Sequence, residues 1–124
     1  MISGYDLEER TAKFGENIIK LCFKIRISEY NKSLINQIIR SATSVGANYM
    51  EANGAASKKD FVNKIFICKK EVQETKHWLR MISVCNEEIK EELRLYWTEA
   101  QELTMIFQKI IMTSRKGSDK EIEN

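Results

Sequence analysis

The stretch FVNKIFICKKEVQETKHWLRMI, residues 61–82, sets Phe61, Ile65, Cys68, Val72, Thr75, Leu79 and Ile82 at alternating steps of four and three. That rhythm places one apolar stripe on one face of an α-helix. A half-buried strand would alternate at every second residue, and no stretch of the chain does so. The same rhythm recurs before and after. Leu7, Thr11, Phe14, Ile18, Leu21 and Ile25 form a first seam, and Ile35, Ile38, Ala42, Val45, Tyr49 and Ala52 a second. Ile89, Leu93, Tyr96, Ala100, Leu103, Phe107 and Ile110 form a fourth.

The breaks between the seams agree with this count. SEYNKS separates the first two helices. NGAAS, residues 53–57, separates the second and third, with Gly54 suited to a C-terminal cap and Ser57 placed as an N-cap three residues before Asp60. VCNEE separates the third and fourth, with Asn86 a candidate cap. Short connections force neighbouring helices to run antiparallel. The expected fold is therefore all-α, an antiparallel up-down-up-down four-helix bundle over residues 1–116. Helices of about 20 residues would each be about 30 Å long. A polar C-terminal tail, GSDKEIEN at 117–124, is expected to be frayed or disordered.

Composition narrows the function classes. The 124 residues suit one domain, and 43% of them are apolar, enough for a core. Charged residues make up 31% and nearly cancel at +2, without the strong excess of a dedicated nucleic-acid binder. No apolar run reaches a membrane span, and MISGYDLEER lacks the basic and apolar regions of a signal peptide, so a cytoplasmic location is expected. Three widely spaced cysteines, Cys22, Cys68 and Cys85, form no disulfide framework. Cys22 and Cys68 fall on or beside seams and read as inert buried thiols, while Cys85 at a helix end is more exposed but has no evident base partner. There is no proline, in keeping with long uninterrupted helices.

Apolar side chains also occur off the seams. Ile19, Phe23 and Ile27 follow i, i+4, i+8 away from the first seam. Ile67, Trp78 and Met81 sit beside the third, and Leu95, Met105 and Met112 point outward from the fourth. Aligned outer apolar residues mark a partner surface, and the preference for symmetric homo-oligomers makes self-association through Ile19, Phe23, Ile27, Ile67, Trp78 and Met81 the expectation.

Glu74-Thr75-Lys76-His77 matches the Glu-x-x-His half-motif of di-iron bundles. Such a site needs two of these motifs and two further glutamates, and the chain has one histidine. Counting along the third seam puts His77 almost opposite Val72 and Leu79, pointing away from the core. A solvated histidine is the preferred reading, and no metal or cofactor is inferred. No Gly-rich phosphate loop, Cys-x-x-Cys or nucleophile elbow occurs.

The second helix carries a polar stripe beside its seam: Gln37, Ser41, Ser44, Asn48 and Glu51, with Arg40 adjacent. Ser, Gly and Asn are mediocre helix formers, so RSATSVGAN accepts a propensity cost. Ser41, Ala42, Ser44, Gly46 and Ala47 would let another helix approach closely. The stripe reads either as tight packing with one buried polar network or as a ligand or partner site. If the turn centres near residue 55, Arg40 lies level with Glu71 and within a turn of Glu74, so an ion pair is expected. Breaking it would cost roughly 3–5 kcal/mol if buried and under about 1 kcal/mol if exposed.

At these residues the chain resembles the four-helix-bundle proteins encoded in intervening sequences of bacterial 23S rRNA genes, often labelled S23 ribosomal proteins. The resemblance rests on Arg40, Ala42, Ser44, Asn48, Glu51 and Gly54 in IIRSATSVGANYMEANGAASKKDF, residues 38–61, and on Glu74, Thr75, Trp78 and Leu79 in KKEVQETKHWLRMI, residues 69–82. The chain departs from the family pattern in two places. Ala52 and Asn53 intervene before Gly54, where the family places glycine at or near the residue after the glutamate, and Gly46 stands where a bulkier residue is usual. The resemblance implies a homo-pentamer, a relationship to the accessory bundle of diversity-generating retroelements (which looks like a partner of nucleic acid and reverse transcriptase), and no enzymatic activity. The family has no settled biochemical role and is not an established ribosome component.

Three functions follow. The first is a non-enzymatic oligomeric adaptor for RNA, DNA or a nucleic-acid enzyme, with contacts at Lys58, Lys59, Lys64, Lys69, Lys70 and Lys76 on the third helix and at Arg115 and Lys116. A ring of five chains at +2 would carry about +10, and phosphate binding scales with the charges engaged. The bland alternative is a solvated face balanced by Glu71 and Glu74. The second function is a structural scaffold for a protein partner, docked on apolar surface such as Phe23 or Met105, without nucleic-acid affinity. The third is an enzyme acting through Arg40, Asn48, Glu51 and Glu74, residues of the right types for acid–base work but without a nucleophile or cofactor. No membrane and no small-molecule substrate is inferred.

Overall fold

In a computed structural model, residues 4–123 are described, with side chains placed from Asp6 to Gly117. Four helices follow one another: α1 (Gly4–Phe23), α2 (Lys32–Asn53), α3 (Lys58–Cys85) and α4 (Lys90–Glu123), the last preceded by a 3₁₀ turn at Glu87–Ile89. No strand is present among the described residues. α2 packs against both α1 and α3, and α3 also packs against α4, while α1 and α4 touch only slightly. Neighbours are antiparallel. Gly15 lies against Ala42 and Thr43 while Gly46 lies against Thr11. On the other flank Lys69 reaches Gln108 while Lys76 reaches Gln101.

The four seams form the core. The first two are buried throughout, and the third is buried from Ile65 to Ile82 with Phe61 half-buried against it. Of the fourth seam, Leu93, Ala100, Leu103 and Phe107 are buried, Ile89 in the 3₁₀ turn, Tyr96 and Ile110 are only partly buried, and the last core position is Ile111 at 1% exposure. A helix turns 3.6 residues at a time, so a regular three-four count drifts off the buried line over five turns. The drift shows at the end of the longest helix.

Two glycines lie in the α1–α2 contact. A Cβ on Gly15 would stand 3.4 Å from the Ala42 carbonyl oxygen, and one on Gly46 3.4 Å from the Thr11 carbonyl. Gly46 thus faces α1, and the two backbones run close enough for an added Cβ to meet the opposite main chain at van der Waals range.

The connections differ from expectation at one site. α1 stops at Phe23, well before SEYNKS, and Lys32 and Ser33 already belong to α2. Lys24 and Ile25 donate to the carbonyls three residues back, tightening the last turn. Asn31, 2% exposed, then organises the loop. Its Oδ1 accepts from Ser28 N–H at 2.7 Å and its Nδ2 donates to the Arg26 carbonyl at 3.0 Å. Ile27 therefore lies in this loop, and Ile19, Phe23 and Ile27 do not share one helical face as their spacing suggested. Ile25 leaves the helix yet stays in the core at 6% exposure.

The other caps follow the sequence. Ser57 accepts from Asp60 N–H at 3.1 Å, and Asn86 ends α3 by donating its backbone N–H to the Ile82 carbonyl. Gly54 caps α2, but with φ −96° it does not adopt the left-handed conformation for which glycine is usually chosen there. α4 continues through Glu123, past the boundary at Lys116. Beyond Gly117, the side chains of the expected tail at 117–124 lie outside the described residues.

Candidate functional site

The polar shoulder of α2 resolves into three separate arrangements. Arg40 bridges both expected acids: one guanidinium nitrogen is 3.2 Å from Glu71, the other 2.5 Å from Glu74, and Nε donates to Gln37 at 3.2 Å. Glu74 does most to raise the Arg40 pKa above its already high ordinary value, through this hydrogen bond, with the Glu71 charge adding to it. The Arg40 side chain is 48% exposed and Glu74 36%, whereas Glu71 is 12% exposed. The ion pair therefore exists on the surface, and the buried-pair version of the expectation is corrected.

The buried polar contact lies beside it. Ser41 and Thr75, both 0% exposed, are 2.8 Å apart between α2 and α3. Thr75 donates to the Glu71 carbonyl, so its oxygen is free to accept from Ser41. This pair satisfies the polar groups that the α2–α3 interface encloses. Ser44 and Asn48 turn back on their own helix, donating to the carbonyls of Arg40 at 2.7 Å and Ser44 at 2.8 Å. Glu51 pairs with Lys64 at 2.6 Å. Arg40 and Glu74 thus come together, while Ser44, Asn48 and Glu51 do not join them in a common pocket.

The two buried thiols, Cys22 and Cys68, are unsuited to nucleophilic attack. Burial pushes the Cys22 pKa up to about 11 and that of Cys68 to about 12, whereas thiolate is the reactive form. Cys85 is exposed. His77 is exposed, as the helical count requires, and meets the edge of Trp78 at 4.9 Å between ring centroids. No group of three or more metal-ligating side chains lies together among the described residues.

The eight candidate cations divide. Lys64 is paired with Glu51; Lys69 donates to Gln108 at 2.5 Å. Lys76 donates to Gln101 and sits 4.5 Å over the Trp97 ring. These three work inside the bundle surface. Lys58, Lys59, Lys70, Arg115 and Lys116 are exposed with no ion pair among the described residues. Lys58 Nζ lies beside Gly117, so the start of α3 and the C-terminal part of α4 bring Lys58, Lys59, Arg115 and Lys116 to one end of the bundle. Arg115 is held over the Phe66 ring at 5.1 Å.

Of the candidate self-contacts, Phe23 (83% exposed) and Ile27 (64%) are open, and Ile67 is exposed at 36%. Ile19 and Met81 are half-buried. Trp78 packs against the core, so less of it is left for a partner. Leu95, Met105 and Met112 point outward as counted.

One surface was missed by the linear reading. A groove of about 530 Å³ runs between the second half of α3 and the first half of α4. Leu79 and Leu93 lie in its floor, Trp97 lines it, and Arg80, Lys90 and Arg94 surround it. The signal in sequence was Lys90, Arg94 and Trp97 at i, i+4, i+7 on one face of α4; the part played by Arg80 depends on how α3 lies against it.

The profile of the family described as 23S rRNA-intervening sequence protein matches residues 5–109. The chain belongs to that family. Among solved structures, it is similar to a protein of unknown function from the S23 ribosomal protein family of Bacteroides thetaiotaomicron. That chain is 30% identical, with a TM-score of 0.78, over 88% of this chain and 97% of the other. A search of curated proteins found no match. This member of the family is thus an all-α four-helix bundle whose fold is shared over nearly the full length of its structural neighbour. No helix among the described residues is long and apolar enough to cross a membrane.

Proposed function

We propose that this protein is a non-catalytic, cytoplasmic homo-oligomer, pentameric as the family resemblance implies, that serves as an adaptor for nucleic acid or a nucleic-acid enzyme. The observation that carries the reading is the set of exposed cations at one end of the bundle, Lys58, Lys59, Arg115 and Lys116, which have no carboxylate partner among the described residues. Unpaired surface cations lose little on meeting phosphate and release its counterions. Repetition of this end around a ring would turn a modest net charge into a continuous basic face. The family's description by 23S rRNA intervening sequences fits a nucleic-acid setting. A non-catalytic role is supported by the self-satisfied bonds of Ser44 and Asn48 and by two buried thiols.

The test is retention of RNA and DNA in low salt by the wild type and by a Lys58→Glu, Lys59→Glu, Lys116→Glu variant, with absolute mass measured by light scattering. A concentration-independent mass near five chains and loss of retention in the variant are expected. Unchanged retention would remove this end from consideration.

A second reading is a scaffold for a protein partner without nucleic-acid affinity. The exposed Phe23, Ile27 and Tyr30 at the α1–α2 connection favour it, with Tyr30 84% exposed. A wild-type protein that retains no nucleic acid even in low salt would select this reading.

A further inference from the structure

We propose that the α3–α4 groove at Trp97 binds single-stranded nucleic acid, with a base against the indole and phosphates on Arg80, Lys90 and Arg94. This rests on the nucleic-acid reading above but puts the base-contacting site on a different surface from the Lys58 end.

Four observations converge. Trp97 is 40% exposed on a groove wall, although tryptophan usually hides most of its large apolar surface. Its ring is braced by the Lys76 ammonium 4.5 Å from the centroid, and Lys76 is itself held by Gln101. The indole thus has a partner on one face, and a stacking base would meet the other. Around the indole stand three cations, of which only Arg94 has a carboxylate within ion-pair distance among the described residues, Glu91 at 3.8 Å, with both side chains largely in solvent. Ser83 and Thr98, also on the groove, donate to the carbonyls of Arg80 at 2.6 Å and Arg94 at 3.1 Å, so an anion would be met by the guanidinium and ammonium groups.

An aromatic platform flanked by cations is how sequence-tolerant single-strand sites are built: bases stack on the ring and the backbone follows the charge. Lys90 and Trp97 are seven residues apart, about 10 Å along the helix. At about 3.4 Å per stacked nucleotide, the groove spans about three nucleotides. An acidic peptide would satisfy the cations but would make no use of the braced indole. A duplex keeps its bases stacked inside, so it could meet the charges but not the ring.

The experiment is fluorescence anisotropy with labelled oligothymidylate of about 15 nucleotides, a length within known single-strand site sizes, and with the matching duplex, across a salt series. Binding of the single strand is expected to exceed that of the duplex and to quench tryptophan emission. Trp97→Leu should weaken single-strand binding about tenfold, the scale of one lost stack, and remove most of the quenching. A Lys90→Gln, Arg94→Gln variant should lower the salt slope by about 1.4, from two lost phosphate contacts at about 0.7 each. All three positions are exposed, and circular dichroism should show the variants folded. If both variants bind as wild type while the Lys58, Lys59, Lys116 reversal abolishes binding, the groove is not the site and the adaptor reading stands. If polyglutamate competes as well as oligothymidylate and Trp97→Leu changes neither, the groove is an acidic-protein site and the proposal is overturned. If the wild type binds no nucleic acid, both readings fail together.

Discussion

Arg40→Ala separates a structural role from a binding role at the family-motif cluster. Arg40 makes two contacts that look strong by distance, 3.2 Å to Glu71 and 2.5 Å to Glu74, yet its side chain is 48% exposed. At that exposure solvent screens both pairs, and each is worth under about 1 kcal/mol. One guanidinium cannot give full value to two carboxylates at once, and holding it ordered costs side-chain entropy. Its removal also leaves Glu71 and Glu74 as like charges three residues apart, a penalty of about 0.2–0.5 kcal/mol. The expected loss is therefore about 1 kcal/mol, well short of the 3–5 kcal/mol that follows from stripping a buried ion of its partner. With a urea slope near 2 kcal/mol/M, the unfolding midpoint should fall by about 0.5 M. The difference between variant and wild type should shrink in about 1 M salt, where the screening length is only about 3 Å. A loss above about 3 kcal/mol, or one insensitive to salt, would refute this reasoning and mean that the cluster is dry in solution.

Three further outcomes follow from the geometry. Ile111→Ala should cost about 2–4 kcal/mol and Ile110→Ala clearly less, because only Ile111 is fully buried; comparable losses in urea titrations would restore the frame read from spacing. In a double-mutant cycle, Ser41→Ala and Thr75→Val should couple by about 1 kcal/mol, the double variant costing less than the two singles together, since removing both partners leaves nothing unsatisfied; additive losses would mean the hydroxyls do not bond. Stability should fall above about pH 9, because unfolded thiols ionise there while folded Cys22 and Cys68 hold their protons to about 11 and about 12. The folded state binds more protons in that window, so raising the pH favours unfolding, by up to about 1.4 kcal/mol per pH unit for each thiol. Cys68→Val should flatten the decline between pH 9 and 11, and an unchanged slope would show that Cys68 ionises freely in the fold.

The amino-acid sequence by itself determined the elements and the face each buries. Helical periodicity is a local property of spacing, and Leu7 to Ile25, Ile35 to Ala52 and Ile65 to Ile82 line the core as their steps require. The Ser57 cap was legible for the same reason, since its oxygen bonds an N–H only three residues away. Even the Arg40 pairing could be read, because a short turn between α2 and α3 sets which residues lie level.

What only the tertiary structure decided depends on how one helix rolls against the next, which spacing within a helix does not encode. It decided that the Arg40 pairs with Glu71 and Glu74 lie at the surface and the Ser41–Thr75 pair is dry, although the five residues stand within a turn or so of one another. It divided one run of lysines on α3 into Lys64, Lys69 and Lys76, engaged by neighbouring helices, and Lys58, Lys59 and Lys70, left to solvent. It ended α1 at Phe23 through the loop built on Asn31, moving Ile27 off the helical face. And it brought Arg80 from α3 beside Lys90, Arg94 and Trp97 from α4, residues whose common groove exists only once the two helices have packed.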